Sequence, residues 1–292
     1  MPRSKATAIG FTAILMWSLL ALLTIGSAPV PPFQLTAMTF AIGGTIGLIW
    51  TSRSGFHVLR AVPLKVYAFG TVGLFGYHAL YFTAFRLGPT AETGLIAYLW
   101  PLFIVLFSGF LPAERLRPRH IAGAVIAFVG AALIASSPAA GSGAPVLALA
   151  LAFLCAVTWA GYSVLSRRLG QVPTESVTVF CLASAVLSAI AHLIFEQTLW
   201  PKAAFGWASI AALGLFPVGA AFFTWDIGMK KGDIQLLGVA SYLAPLLSTL
   251  ALVTMGVTPA RPVLTIAALL ITAGAAMAAW TPRGGAQASV RR

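Results

Sequence analysis

Few side chains in this 292-residue sequence can do acid, base or charge chemistry, and their positions restrict what is on offer. His78 lies well inside an apolar run, with Tyr77 and Tyr81 close by. Tyr77 and Tyr81 are four apart and His78 and Tyr81 three apart, so on a helix all three share one broad face. The next run carries Tyr98 and Trp100, Trp17 and Trp159 stand in the middle of two others, and in the second half Phe222, Phe223, Trp225, Ser241 and Tyr242 form the matching layer. Flat rings with a few hydroxyls and one imidazole suit an aromatic or apolar solute, because rings stack while polar atoms fix orientation. Two readings stay open for His78, a structural histidine bonded to a neighbour or a proton carrier. Two also stay open for Trp159, which shares a face with Tyr162 and Ser163: cavity lining or core packing.

Catalytic constellations are missing. The apolar runs hold no pair of aspartates, no serine with a histidine partner and no His/Cys/Asp/Glu group at metal-ligand spacing, so we expect neither an enzyme nor a metal or cofactor site. Cys155 and Cys181 are expected to pack as small buried side chains. Arg86, Asp226 and Glu114 fall at the ends of runs, as do Glu92, Glu175, Glu196 and Asp233. Gating charge, interfacial anchor and loop partner are the roles open to Arg86, Asp226 and Glu114.

Positioning these residues requires membrane helices. The chain is 59% hydrophobic and 8% charged, with a mean hydropathy of +0.94, where a soluble chain carries about 25% charged residues. A span needs about 20 apolar residues, and the sequence divides into ten such runs: 8–23, 33–50, 66–84, 93–111, 120–136, 145–165, 175–195, 204–228, 236–254 and 263–280. Arg3 and Lys5 precede a run reaching Leu23 with no cleavage site of secretory shape, so this end is expected to stay cytoplasmic. If the termini share one side, that side holds fifteen of the eighteen Lys and Arg residues, and only Arg86, Lys202 and Arg261 fall opposite. Cationic loops stay inside, which places both termini in the cytoplasm. The net charge of +12 is dispersed over these loops and forms no stripe with interleaved aromatics, so the partners are a bilayer and a small solute, not a nucleic acid.

A repeat emerges when the chain is cut near "SSPAAGSGAP" (136–145). Residues 1–140 and 141–292 then hold five spans each within one membrane domain, and "AFRLG" (84–88) echoes "TWDIG" (224–228), "YLWP" (98–101) echoes "YLAP" (242–245), and Trp17 echoes Trp159. An odd number of spans per half inverts the second copy. The fold expected is an all-α integral membrane protein, ten helices in a five-plus-five inverted repeat around a central cavity. Pro101 and Pro245 free the carbonyls of Ala97 and Ser241, and such breaks persist where they face protein or water. They act as paired functional kinks or as packing kinks alone. Tyr98 and Trp100 stand about 200° apart on an ideal helix, so both can face one cavity only if the kink rotates one of them.

Together, the ten spans, the paired Tyr-Leu-X-Pro, the early tryptophans and Glu114 beyond the fourth span resemble the drug/metabolite transporter superfamily, in its bacterial EamA-like metabolite-exporter branch. The stretch "YHALYFTAFRLGPTAETGLIAYLWPL" (77–102) is similar to aromatic amino acid exporters. The resemblance implies a secondary transporter of the bacterial inner membrane that exports aromatic or other bulky neutral amino acids by alternating access. It also implies that the fifth and tenth helices, rich in small residues, are peripheral. Glu114 has Thr258 as its rough counterpart, so an acidic residue serves there in one half only.

A multidrug exporter of hydrophobic cations or small metabolites is the alternative, although it would ideally show a mid-span carboxylate. Phosphorylated substrates would need mid-span Lys or Arg, and none is present. For a zwitterionic aromatic substrate the expected partners are the Ala97 and Ser241 carbonyls for the ammonium, His78 and Tyr81 for the carboxylate, and Trp100 and Trp159 for the ring. Proton antiport through His78 and facilitated diffusion are both compatible with this set. No oligomeric state is assigned, and a monomer suffices. Single cysteines at positions 29, 55 and 140 should label from outside, inside and outside respectively, and a reversal at any site would refute the topology.

Overall fold

A computed structural model describes residues 1–88, 90–135, 145–256 and 262–280. The half-to-half junction at 136–144, Thr258, Arg261, the side chain of Glu92 and the arginines at 283, 291 and 292 lie outside the described residues.

Among those described, every regular element is helical. In chain order they are α1 (Arg3–Trp17), α2 (Leu20–Gly26), α3 (Pro32–Ser54), α4 (His57–Arg60), α5 (Leu64–Thr71), a π segment (Val72–Gly76), α6 (Tyr77–Leu87), α7 (Thr90–Ala97), α8 (Trp100–Ser108) and α9 (Pro118–Ala135). There follow α10 (Val146–Ser166), which tightens into a 3-10 turn (Arg167–Leu169), α11 (Ser176–Phe195), α12 (Ala204–Leu215), a second π segment (Phe216–Ala220), α13 (Ala221–Lys231), α14 (Ile234–Ala240), α15 (Leu243–Thr254) and α16 (Val263–Ala279). Prolines open α3 and α9, where the missing N–H has no intrahelical partner to lose. Six helical runs are long and apolar enough to cross a membrane: Arg3–Gly26, Pro32–Ser54, Val146–Leu169, Ser176–Phe195, Ala204–Lys231 and Ile234–Thr254. Pro118–Leu133 and Val263–Ala279 are apolar and shorter.

The interruptions recur at a fixed interval. Both π segments are five residues long, start 144 positions apart, and lead into eleven-residue helices that end at a glycine with extended backbone, Gly88 and Gly232. At this interval Gly88 falls opposite Gly232 and Arg86 opposite Lys230, one helical turn beyond Asp226, a register four residues from the expected pairing of "AFRLG" with "TWDIG". Short-range turns also fall at the two Tyr-Leu-X-Pro motifs, where the Leu99 amide bonds the Ile96 carbonyl at 3.1 Å and the Tyr242 amide bonds the Val239 carbonyl at 3.2 Å. Pro101 then stands second in α8 and Pro245 third in α15.

The helices pack in antiparallel pairs, with one member before residue 136 and the other after residue 144. Along α3 and α11, Phe33 lies by Glu196 and Ser54 by Glu175; along α1 and α13, Thr7 lies by Asp233 and Trp17 by Pro217. α6 pairs similarly with α10, and α9 with α16. Glycines set the closeness of two of these packings and of the contact between α3 and the second π segment. A Cβ on Gly10 would sit 2.8 Å from the Cα of Gly228, one on Gly43 2.9 Å from the Cα of Gly219, and one on Gly123 2.5 Å from the carbonyl oxygen of Gly274. This is the small-residue packing expected of membrane helices. Apart from packing on each other, α9 and α16 rest chiefly on α8, α14 and α15, around Val105, Val239, Tyr242 and Ile271.

Gly228→Val should lower the thermal unfolding midpoint by the equivalent of about 1–3 kcal/mol, because the added carbons meet backbone that cannot yield. Gly161→Ala is the control, since nothing lies within 4 Å of its Cβ position, and its midpoint should hold or rise. Equal tolerance at both sites would refute the close approach.

Candidate functional site

Four tryptophans from distant parts of the chain meet in one cluster. Trp17 ends α1 just before the turn at Ser18 and Leu19, Trp100 opens α8 after the break, and Trp159 and Trp225 project from α10 and α13. The Trp17 ring lies 6.1 Å from Trp100, 5.7 Å from Trp159 and 5.0 Å from Trp225. Trp159 and Trp225 are nearly parallel at 6.4 Å, and Trp100 stands edge-on to both. Two indole N–H groups fix the arrangement: Trp17 Nε1 donates to the Pro217 carbonyl at 3.0 Å, and Trp225 Nε1 donates to Ser163 Oγ at 3.0 Å. Pro217 belongs to the second π segment.

His78 is anchored in the same way. Its Nδ1 lies 2.7 Å from the Leu74 carbonyl in the first π segment; a carbonyl only accepts, so Nδ1 carries the proton and Nε2 is left for other partners. Phe40 meets the His78 ring edge-on at 5.0 Å and stacks on Phe222 at 5.5 Å. Tyr77 lies 5.2 Å from Trp159 and 5.9 Å from Tyr81, and Tyr98 is close enough to both tyrosines to interact electrostatically. Among the described residues the hydroxyls of Tyr77, Tyr81 and Tyr98 have no hydrogen-bond partner. These three, His78 and Trp17 keep partial exposure, while Trp100, Trp159, Phe222 and Trp225 are buried beneath them. The break lets Tyr98 and Trp100 reach one region, because Trp100 starts a new helix.

Other expected members lie elsewhere. Ser241 is fully buried with its carbonyl occupied by the Ala244 amide at 3.1 Å, so that carbonyl is not free for an ammonium. Tyr242 packs between α9 and α15, 6.0 Å from Phe128, away from the tryptophans. Phe223 turns to Trp50. Of the second-half layer expected from sequence, Phe222 and Trp225 do reach this region, whereas Phe40, which stacks on Phe222, was not singled out.

Charges gather at the two ends. Asp226 is no interfacial anchor: it is 3% exposed, bonded by Lys230 at 2.8 Å and by the Thr174 hydroxyl at 2.8 Å. Lys230, expected in a loop, is buried within α13 and also reaches the Val172 carbonyl. Glu114 is buried between Arg167 and Arg3, the latter at 3.1 Å. Arg167 also donates to the carbonyls of Met229 (2.8 Å) and Gly232 (2.9 Å), so Glu114 and Arg167 together tie α1, the turn that ends α10 and the end of α13. At the opposite end Arg86 pairs with Glu196. Glu196 accepts the amides of Phe33 and Gln34, both at 3.0 Å, and so caps α3 from the other half of the chain. A groove of about 460 Å³, lined by Lys65, Phe69, Val72, Gly73, Thr158, Gly161, Tyr162 and Leu165, lies outside the tryptophan cluster.

Comparison with known proteins places this arrangement. The EamA-like transporter family matches residues 4–136 and again 146–280. A curated relative from Ancylobacter novellus, "Aromatic amino acid exporter YddG", is 54% identical over 95% of this chain and 98% of its own length. A protein of the same name from Salmonella typhimurium is 28% identical, covering 85% of this chain and 88% of its own. One solved structure, also 54% identical, superposes with a TM-score of 0.91 over 95% of this chain and 97% of its own.

Burial pushes the Glu196 carboxyl up, but the amides of Phe33 and Gln34, His192 and Arg86 outweigh it and hold the group below its ordinary value of 4.5. A depressed folded value means that the stability it contributes is complete above about 4.5 and lost as pH falls through the lower folded value. The difference in unfolding midpoint between the unsubstituted protein and Glu196→Gln should therefore be largest near neutrality and shrink below pH 4. A difference that grows with acidification would contradict the cap.

Proposed function

The chain belongs to the EamA-like transporter family, and on that premise we propose that it exports aromatic and other bulky neutral amino acids across a bacterial inner membrane by alternating access. The observation that carries the substrate class is the tryptophan cluster overlaid by three tyrosine hydroxyls and an edge of His78 that have no partner among the described residues. A ring stacks on the first and a zwitterion is held by the second. With Nδ1 donating to Leu74, Nε2 of a neutral imidazole is an acceptor, so it suits the substrate ammonium together with the Ala97 carbonyl. The carboxylate falls to Tyr77, Tyr81 and Tyr98. This reverses the part expected of His78 from sequence.

We read the chain as ten spans in two inverted halves, 1–140 and 141–292, with both termini cytoplasmic. Support comes from the double family match, the 144-residue recurrence of π segments and broken helices, and the antiparallel pairing of α3 with α11 and α9 with α16. Pro101 and Pro245 are then paired kinks beside the pathway. The buried Glu114 clamp and the Asp226–Lys230 pair shut the cytoplasmic end, while Tyr77, His78, Tyr81 and Phe82 keep exposure toward the Arg86 end. Glu114 is the gating charge on this reading, because opening inward must separate α1, α10 and α13.

Uptake of labelled phenylalanine and tryptophan in counterflow with proteoliposomes tests the substrate. Trp17→Ala and Trp159→Ala should each reduce it about 5- to 30-fold, equivalent to about 1–2 kcal/mol of lost ring contact, with insertion intact. Preference for a hydrophobic cation over both amino acids would move the protein to the multidrug reading.

A further inference from the structure

Tyr242 occupies the first place of the second Tyr-Leu-X-Pro motif, yet its hydroxyl serves the first motif. It accepts the backbone N–H of Leu102 at 3.2 Å. Leu102 is the third residue of α8, in the turn whose amides have no intrahelical acceptor. The Tyr242 ring is fully buried against Val105, Val239 and Ile271. A tyrosine from one half of the chain thus caps the broken helix of the other.

Tyr98, its counterpart, does nothing similar. It is partly exposed beside Tyr77 and Tyr81, and its hydroxyl has no partner among the described residues. Leu246 stands 144 positions beyond Leu102, as Tyr242 stands beyond Tyr98. The two motifs also differ in register, since Pro101 is second in its helix and Pro245 third. Matching motifs in unlike environments are what two inverted halves present when they hold opposite conformations.

We propose that Tyr98 and Tyr242 are reciprocal caps that exchange roles during transport. In the conformation seen, Tyr242 holds the Leu102 amide and Tyr98 faces the pathway. In the conformation open to the cytoplasm, Tyr98 accepts the N–H of Leu246, and Tyr242 releases Leu102 and turns toward the substrate. Each conformation makes one such bond between the halves, so the bond biases neither, and removing one hydroxyl biases the pair. The inference rests on the inverted-repeat and alternating-access reading given above. It makes both tyrosines positioning residues for the conformational equilibrium.

The test uses a Cys155→Ala, Cys181→Ala background with one reporter per protein: Phe82→Cys, labelled from outside, or Met229→Cys, labelled from the cytoplasmic side. Tyr242→Phe should lower the ratio of outer to inner labelling by about three- to tenfold, the effect of one neutral hydrogen bond. Tyr98→Phe should raise that ratio by a similar factor, and the double variant should restore it. Shifts in the same direction, or no shift in either variant, would overturn the proposal. Should Tyr242→Phe fail to fold, Tyr98→Phe decides alone, because its hydroxyl has no partner among the described residues in the present conformation and only the reciprocal bond predicts a rise. Phenylalanine counterflow by the unsubstituted protein, measured beside these, separates the outcomes: opposite labelling shifts without that transport would sink the substrate reading and leave the caps standing.

Discussion

A helix that breaks inside a membrane protein strands backbone N–H and C=O groups where no water can reach them, and each stranded group is costly. This chain interrupts its helices at two π segments and two Tyr-Leu-X-Pro turns, and the groups at those places find side-chain partners. His78 meets the Leu74 carbonyl, Trp17 meets the Pro217 carbonyl across the two halves, and Tyr242 meets the Leu102 amide, again across the halves. Two of these three partners belong to the candidate site. The site is therefore built from the groups that make the breaks tolerable, and a substitution at Trp17 or His78 acts on backbone geometry as well as on a substrate.

Electrostatics divides the molecule differently. Glu114 and Asp226 are both buried and both paired, and a buried pair stripped of one member leaves a charge that its surroundings cannot solvate. Such pairs are weak contributors while intact and strong obstacles when pulled apart one partner at a time. Arg167 reduces the obstacle by holding two carbonyls as well as the carboxylate, so its charge keeps polar company if Glu114 leaves. Arg86 at the other end is more exposed, and water can take over its solvation.

The sequence made the helices legible because length and apolarity are local properties. Each of the ten apolar runs holds helix, and the prolines at 101 and 245 did mark the turns. Register was less legible. "AFRLG" and "TWDIG" look alike by composition, yet the equivalence is set by where the π segments place Gly88 and Gly232, and a π turn leaves little trace in residue types. "VGLFG" and "FPVGA", set 144 positions apart, agree at no position. Long-range partners were invisible for a related reason: nothing local to Tyr242 says that it caps Leu102, and nothing local to Lys230 says that the last turn of α13 is buried. Trp17 and Trp159 stood out as candidates because large rings in mid-span are unusual, and Trp100 because it belongs to the first Tyr-Leu-X-Pro motif. Phe40 was passed over because a phenylalanine within an apolar run carries no polar or spacing signal of its own.

Gly43 faces Gly219 backbone against backbone, with no side chain on either surface, and Gly219 lies inside the π segment that Trp17 braces. Helices normally interlock through ridges of side chains seated in grooves, and sliding one past another means lifting each knob from its hole. Two bare backbones present no knobs. The junction between α3 and this segment works as a plain bearing, tight in the direction that presses the surfaces together and smooth in the direction that shears them, so the stiffness of the molecule is anisotropic there by construction.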